Sequence, residues 1–204
     1  MQILIGTTNA SKVALFRQLL EGTGAALVTP HDLHIDGEPQ ETGATPEDNA
    51  RLKAAFYGRY AERVICADSG LYVDALPLTD PRQPGLHIRT PHGVRLNDEE
   101  MIAHYAALSR SLGGRVLAYY LDGCAVKTPD GVRSFQATRE EAREGGFYLL
   151  DTPCAQRREG WPLDSLSVNL KGRSFFDRGV EALPQMDKPY IARLRAFLLE
   201  ALSL

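Results

Sequence analysis

Apolar and polar positions along this chain fall into short runs that predict a mixed α/β arrangement. The apolar run Ile3-Leu4-Ile5 reads as a buried strand over residues 2–7. Apolar residues at helical spacing (Val13, Phe16, Leu20) then predict a helix over 10–21 that stops before Gly22. A second strand is expected at 25–29, followed by a polar stretch containing Gly37, Pro39 and Gly43. Thr45-Pro46-Glu47-Asp48 carries the marks of a helix start, with a capping Thr, Pro at the first helical position and acids in the first turn. That helix runs to about Tyr60. Residues 63–67 form a short buried strand and 71–75 a further one, separated at Ser69-Gly70. Residues 77–96, rich in Pro, Gly and His, read as loop, and 97–111 as a helix capped by Asn97. Two long strands follow at about 114–127 and 131–144, joined where Asp130-Gly131 marks a hairpin. Residues 151–187 read as irregular and 188–203 as a C-terminal helix. The order β-α-β-α-β, then a hairpin, then a helix, predicts an α/β fold with a mixed sheet and helices on its faces.

A chain of 204 residues is expected to form one domain with a sizeable core. Its net charge of -3 lacks the basic surplus that a duplex-DNA or polybasic membrane binder needs, so no nucleic-acid or membrane partner is expected. No apolar run approaches the ~18–20 residues of a membrane span. Met1-Gln2 leads straight into a strand without a basic or apolar leader, and a cytoplasmic protein is expected. Cys66, Cys124 and Cys154 are far apart and form neither a disulfide framework nor a zinc spacing. Only five of the 23 basic residues are lysines, among them Lys12 and Lys53. In an arginine-rich chain a retained lysine points to a need for a compact ammonium charge.

Three clusters in the first third bear on chemistry. Thr7-Thr8-Asn9-Ala10-Ser11-Lys12 lies between a strand and a helix. A helix N-terminus offers unpaired N–H groups and partial positive charge, and a lysine in the first turn adds a full charge, so the string reads as a phosphate cradle. The same string also fits a polar turn with no ligand, and it matches neither a P-loop nor a dinucleotide fingerprint. The second cluster is Glu38 to Gly43 with Asn49 and Lys53, which are four apart and share a helix face. The third is Asp68-Ser69-Gly70, placed directly after a strand, where α/β proteins bind ligands. Two lysines for phosphates and carboxylates for a hard divalent cation together suit a phosphorylated metabolite.

These blocks resemble the noncanonical purine NTP pyrophosphatase family, the inosine triphosphatase or Ham1-like proteins. Thr7 to Lys12 corresponds to the family's Thr-Gly-Asn-x-x-Lys, and Glu41-Thr42-Gly43-Ala44-Thr45 with Asn49-Ala50 and Lys53-Ala54 to Glu-Thr-Gly-x-Thr…Asn-Ala…Lys-Ala. Ala67-Asp68-Ser69-Gly70-Leu71 resembles Asp-Asp-Ser-Gly-Leu, with Ala67 in place of the first Asp. Pro84-Gly85 to Arg89 loosely follows a Pro-Gly-x-x-Ser-x-Arg loop. The resemblance implies an elongated mixed α/β fold with a cleft between two lobes. It implies a homodimer and Mg²⁺-dependent hydrolysis of nucleoside triphosphates to monophosphate and diphosphate, with ITP, dITP and XTP preferred. Carried over residue by residue, Asp68 is the general base and a metal ligand. Glu41 is a second metal ligand, with Glu38 in the same loop as the alternative. Lys12 and Lys53 hold phosphates. Thr7, Thr8, Asn9, Ser11, Asn49 and Ser69 line the substrate, with Asn9 and Ser69 orienting phosphates.

The C-terminal half departs from the family. Its base-binding block Gly-Phe-Gly-Tyr-Asp-Pro is answered here by Gly160-Trp161-Pro162-Leu163-Asp164-Ser165, in which Trp161 replaces the stacking Phe and Asp164 persists. Lys188 and Arg193 are the remaining candidates for substrate contact. A looser or shifted base preference is expected. A non-catalytic nucleotide-binding relative is the alternative reading, and a hydrolase of modified pyrimidine nucleotides a third.

Overall fold

The computed structural model describes residues 1–177 and 185–204. β1 (Gln2–Ile5) leads through α1 (Ala10–Leu19) to β2 (Ala26–Val28), and α2 (Pro46–Tyr57) leads to β3 (Val64–Val73). There follow α3 (Asp98–Ser111), β4 (Arg115–Thr128), β5 (Gly131–Gln136), α4 (Arg139–Glu144), β6 (Phe147–Leu150), β7 (Ser167–Asn169) and α5 (Ile191–Leu202). Among the described residues seven strands form a mixed sheet in the order β2-β1-β3-β4-β6-β7, with β5 paired to β4. β2 and β3 run parallel to β1, each reached through a helix as parallel pairing demands. β4 pairs antiparallel with β5 and β6, and β6 with β7. No helix of the described residues is long and apolar enough to cross a membrane.

The chain folds as two compact units, Met1–Ser69 with Leu121–Thr138 and Pro189–Leu204, and Gly70–Tyr120 with Arg139–Lys188. In the first, Ala50, Ala54 and Tyr57 of α2 bury against Leu4 of β1, Val64 and Cys66 of β3 and Ala125 of β4. A capping box starts α2. The Thr45 hydroxyl accepts from Asp48 N at 3.0 Å, and the Asp48 carboxylate accepts from Thr45 N at 3.1 Å. Two glycines allow close approach. A Cβ on Gly123 would stand 2.4 Å from the Glu47 nitrogen, and one on Gly6 2.5 Å from Cys66 Sγ. In the second unit Met101, Ile102 and Tyr105 of α3 pack with Leu71, Val73, Phe147 and Leu149. Ser109 inside that helix is satisfied by the Leu149 carbonyl at 3.0 Å.

Three expectations are corrected. β3 does not break at Ser69-Gly70 but continues to Val73. Gly70 is there for packing rather than turning, since a Cβ would meet the Tyr72 ring at 2.9 Å and the Gly85 oxygen at 3.1 Å. The second hairpin strand ends at Gln136, and residues expected to extend it to 144 form α4. Arg139-Glu-Glu-Ala-Arg-Glu144 is made of helix formers with only Ala142 buried, so it lacks the alternation a strand needs. Residues 151–187 are not wholly irregular, for they hold a 3-10 turn over Pro162–Leu166 and then β7. Part of that stretch, 178–184, lies outside the described residues. Residues 147–150 form β6, for which the apolar pattern carried no expectation.

Candidate functional site

β1 stops at Ile5, paired with Ile65, while β3 runs on to Val73. Beyond Ile65, β1 no longer covers the edge of β3, and polar side chains from α1, α2, β3 and the loop before α2 meet there. Lys53 of α2 reaches Asp68 Oδ1 at 2.8 Å and Glu41 Oε1 at 2.8 Å. Lys12 of α1 donates to the Ala67 carbonyl at 3.2 Å and stands 3.9 Å from Asp68 Oδ1. Asn49, one turn before Lys53, donates its amide to Asp68 Oδ2 at 2.9 Å and accepts from Gly43 N at 2.8 Å. Asn49 is 1% exposed and Asp68 7%, so the carboxylate is aimed from inside the protein while Glu41 stays exposed.

The two lysines differ in their surroundings. Burial lowers the pKa of Lys12 and the Lys53 charge adds to this, against the pull of Asp68, Asp122 and Glu41. Burial pulls on Lys53 as well, but Asp68 and Glu41 outweigh it and hold the ammonium above the usual lysine range. Beneath them, burial pushes the Cys66 thiol far above its ordinary value, which leaves it inert.

The segment from Thr7 to Ser11 starts α1. The Thr7 hydroxyl accepts from Asn9 N at 3.1 Å, and Asn9 Oδ1 caps the helix by accepting from Lys12 N at 3.1 Å. Thr8 and Asn9 are exposed, and Thr7 and Ser11 half-buried. Ser69 follows Asp68 on β3 and faces the other side of the strand. Its hydroxyl donates to Asp122 Oδ1 of β4 at 2.5 Å, and the Tyr190 hydroxyl donates to Asp122 Oδ2.

Trp161, Asp164 and Lys188 belong to the second unit. Trp161 is exposed. It follows Gly160, whose nitrogen donates to Asp98 Oδ2 at 3.0 Å and whose carbonyl accepts from Arg89 at 3.0 Å. Arg89 also pairs with Asp98 at 2.8 Å, so Trp161 leaves from a clamped backbone. Asp164 is buried and accepts from Arg158 at 2.5 Å. Burial raises its pKa and Arg158 opposes the rise. Lys188 is half-buried. Arg193, on α5 of the first unit, lies 4.3 Å over the Phe135 ring. The structure thus joins Lys12, Glu41, Asn49, Lys53 and Asp68 in one cluster, and gives Asp164 and Arg193 partners elsewhere.

Among the described residues no group of three or more His, Cys, Asp and Glu is placed to hold a metal ion. Asp68 and Glu41 instead gather around one cation, the Lys53 ammonium. Two carboxylates, completed by water and substrate phosphates, match the donor set that Mg²⁺ takes.

The sequence profile of the Ham1 family matches residues 3–138. The chain belongs to the Ham1 family. A dITP/XTP pyrophosphatase of Protochlamydia amoebophila is 30% identical over 206 residues, covering 97% of this chain and 98% of that protein. One of Leptospira interrogans, also called dITP/XTP pyrophosphatase, is 37% identical over 100 residues. There the chain spans about half of its relative's length, 48% of each protein. In fold the chain is similar to the Ham1 protein of Staphylococcus aureus, with a TM-score of 0.70, 23% identity and coverage of 98% and 99%. In this Ham1 chain the whole cluster around Lys53 falls inside the matched residues, whereas Trp161, Asp164, Lys188 and Arg193 lie beyond them.

Asp122 and Tyr190 belong to no block of the Ham1 resemblance. One signal for Asp122 was available: a lone carboxylate in the apolar run Tyr119-Tyr120-Leu121-Asp122-Gly123-Cys124 needs polar partners if that run is a buried strand.

Proposed function

We propose that this chain is a nucleoside-triphosphate pyrophosphohydrolase, converting NTP and water to NMP and diphosphate, with noncanonical purine nucleotides (dITP, XTP, ITP) as its substrates. The observation that carries this reading is the Lys53 ammonium held between Asp68 and Glu41, beside Lys12 at the start of α1. A pure binder of polyanions has no need of a buried carboxylate at Asp68. The names of the relatives in Protochlamydia and Leptospira support the substrate class.

In this reading the triphosphate enters at the N-terminus of α1, where Thr7, Thr8, Asn9 and Ser11 border the first turn and Lys12 supplies charge. Lys53 takes a second phosphate. Water attacks the α-phosphorus, and the bond to the bridging oxygen of the leaving diphosphate breaks. Asp68 orients the water and accepts its proton. Asn49 and Lys53 fix both carboxylate oxygens, so Asp68 works by position more than by basicity. Asn49 acts as a positioning residue, since its amide joins Gly43 to Asp68. Mg²⁺ would be held by Asp68 and Glu41 and would neutralise charge on the phosphates. The resemblance further supports a homodimer.

Trp161 offers a stacking face, which is tolerant of base identity, and Pro162 lacks the backbone donor a Gly would supply. With Trp161 standing, by the resemblance, where the family stacks its base, the reading is a looser or shifted base preference. The test is a diphosphate-release screen with Mg²⁺ over dITP, ITP, XTP, GTP, ATP and pyrimidine triphosphates. Release from the deaminated purines is expected. Nucleotide binding without release from any of them overturns the enzyme reading in favour of a binding protein.

A further inference from the structure

Asp122 is a carboxylate that no motif of this chain includes. It lies in β4 between Leu121, 4% exposed, and Gly123, against which the first turn of α2 packs. Its backbone oxygen accepts from Ala137 N at 3.0 Å. Its side chain accepts from the Ser69 hydroxyl on one oxygen, at 2.5 Å, and from the Tyr190 hydroxyl on the other. Ser69 and Ala67 face the same side of β3, because alternate residues of a strand share a face. The related motif has an acid at position 67, where this chain has alanine. On that face of the sheet the acid comes from β4 instead.

A serine hydroxyl has one hydrogen and two lone pairs. With its hydrogen given to Asp122, Ser69 has only lone pairs to offer a ligand. Phosphate oxygens are acceptors and gain nothing from those lone pairs. We infer that Asp122 is a positioning residue that fixes Ser69 as an acceptor, so this face of β3, opposite Asp68, binds a hydroxyl donor, a ribose hydroxyl, and not a phosphate. The inference rests on the pyrophosphohydrolase reading and reassigns Ser69 within it.

The experiment compares wild type, Ser69→Ala, Asp122→Asn and the double variant with dITP and ITP, alongside their melting temperatures. The asparagine side chain keeps the shape of the aspartate but has one acceptor oxygen for the two hydroxyls of Ser69 and Tyr190. Each single variant should lower kcat/KM for ITP about tenfold, the scale of one hydrogen bond to a bound hydroxyl. The double variant should lose less than the product of the two single losses, because the part of the Asp122→Asn effect that runs through Ser69 is already gone. Inhibition by inorganic diphosphate should stay at the wild-type level in Ser69→Ala. A rise in KM for both nucleotides identifies the 3′-hydroxyl they share, and a rise in KM for ITP alone identifies the 2′-hydroxyl. A fall in kcat with KM unchanged for both overturns the inference.

Additive losses, wild-type kinetics in Ser69→Ala, or weakened inhibition by diphosphate each overturn the inference. If Asp122→Asn fails to fold, Ser69→Ala decides alone, since it removes the acceptor itself. A wild type that releases no diphosphate overturns the underlying reading and this inference with it. An active wild type with any of the contrary results overturns this inference only.

Discussion

Asn49 Nδ2 lies 2.9 Å from Asp68 Oδ2, and the contact fixes more than the carboxylate. The same amide accepts from Gly43 N at 2.8 Å, two residues from Glu41. One buried side chain therefore sets the distance between the two carboxylates proposed to serve the metal. Lys53 follows a turn later on the same face of α2 and closes the arrangement from the solvent side.

Asn49→Ala should unhook the Glu41 loop and leave Asp68 Oδ2 without this donor. A loss of about 1–3 kcal/mol in stability is expected, the cost of a buried polar group left unpaired. The Mg²⁺ concentration for half-maximal rate should rise as well. Chemical denaturation and a Mg²⁺ titration measure the two effects, and an unchanged titration removes Asn49 from the positioning role. Glu41→Gln should raise the same Mg²⁺ requirement. If it does not, Glu38 is the carboxylate to test next.

Asp68→Asn should abolish turnover by about 10²–10⁴-fold, the range for loss of a general base, while the protein stays folded. Diphosphate release by a variant with a native melting curve reads this directly. Retention of most of the wild-type rate removes Asp68 from the chemistry.

Lys12→Met separates function from stability. The ammonium of Lys12 loses protons more easily in the folded chain than in the unfolded one, chiefly through burial. Between the lowered folded value and 10.5 the unfolded chain binds more protons, so this group's contribution makes stability rise with pH across that window. Below the window the penalty is present in full. Lys12→Met should therefore melt higher than wild type at pH 7 and bind nucleotide poorly, and its thermal advantage should narrow toward pH 10. An advantage that widens with pH contradicts the assignment.

Gly123→Ala tests how α2 is seated. The added Cβ would stand 2.4 Å from Glu47 N and 2.5 Å from the Pro46 carbonyl carbon, both backbone atoms of the first turn. The helix must shift, at a cost of about 1–3 kcal/mol. Because Asn49 and Lys53 ride on α2, activity should fall more than thermal melting alone explains. A variant with wild-type melting and kinetics shows that α2 yields freely.

Local signals made much of this fold legible. The Thr45 and Asn97 capping signals mark α2 and α3, and Lys12, Asn49, Lys53 and Asp68, which the fold brings together, stand in recognisable strings. What was not legible depended on neighbours distant in sequence. Ser69-Gly70 looks like a turn until Gly85 is seen to lie against it. Asp122 has no motif, and its meaning comes from Ser69, 53 residues earlier, and Tyr190, 68 residues later. The run from Arg139 reads as strand only if the hairpin signal is carried past the point where apolar alternation stops.

The early end of β1 has a further consequence for how this protein survives at high concentration. An uncovered strand edge presents carbonyl and N–H groups to which another chain's strand can zip, and such edges seed aggregation. On β3 the stretch that β1 does not pair with begins just past Ile65, and there the Lys12 ammonium donates to the Ala67 carbonyl. A foreign strand would have to displace a charge from that oxygen before pairing with it. A lysine set on a strand edge is one of the ways such edges are kept from pairing, so Lys12→Met would leave the Ala67 carbonyl open to a foreign strand.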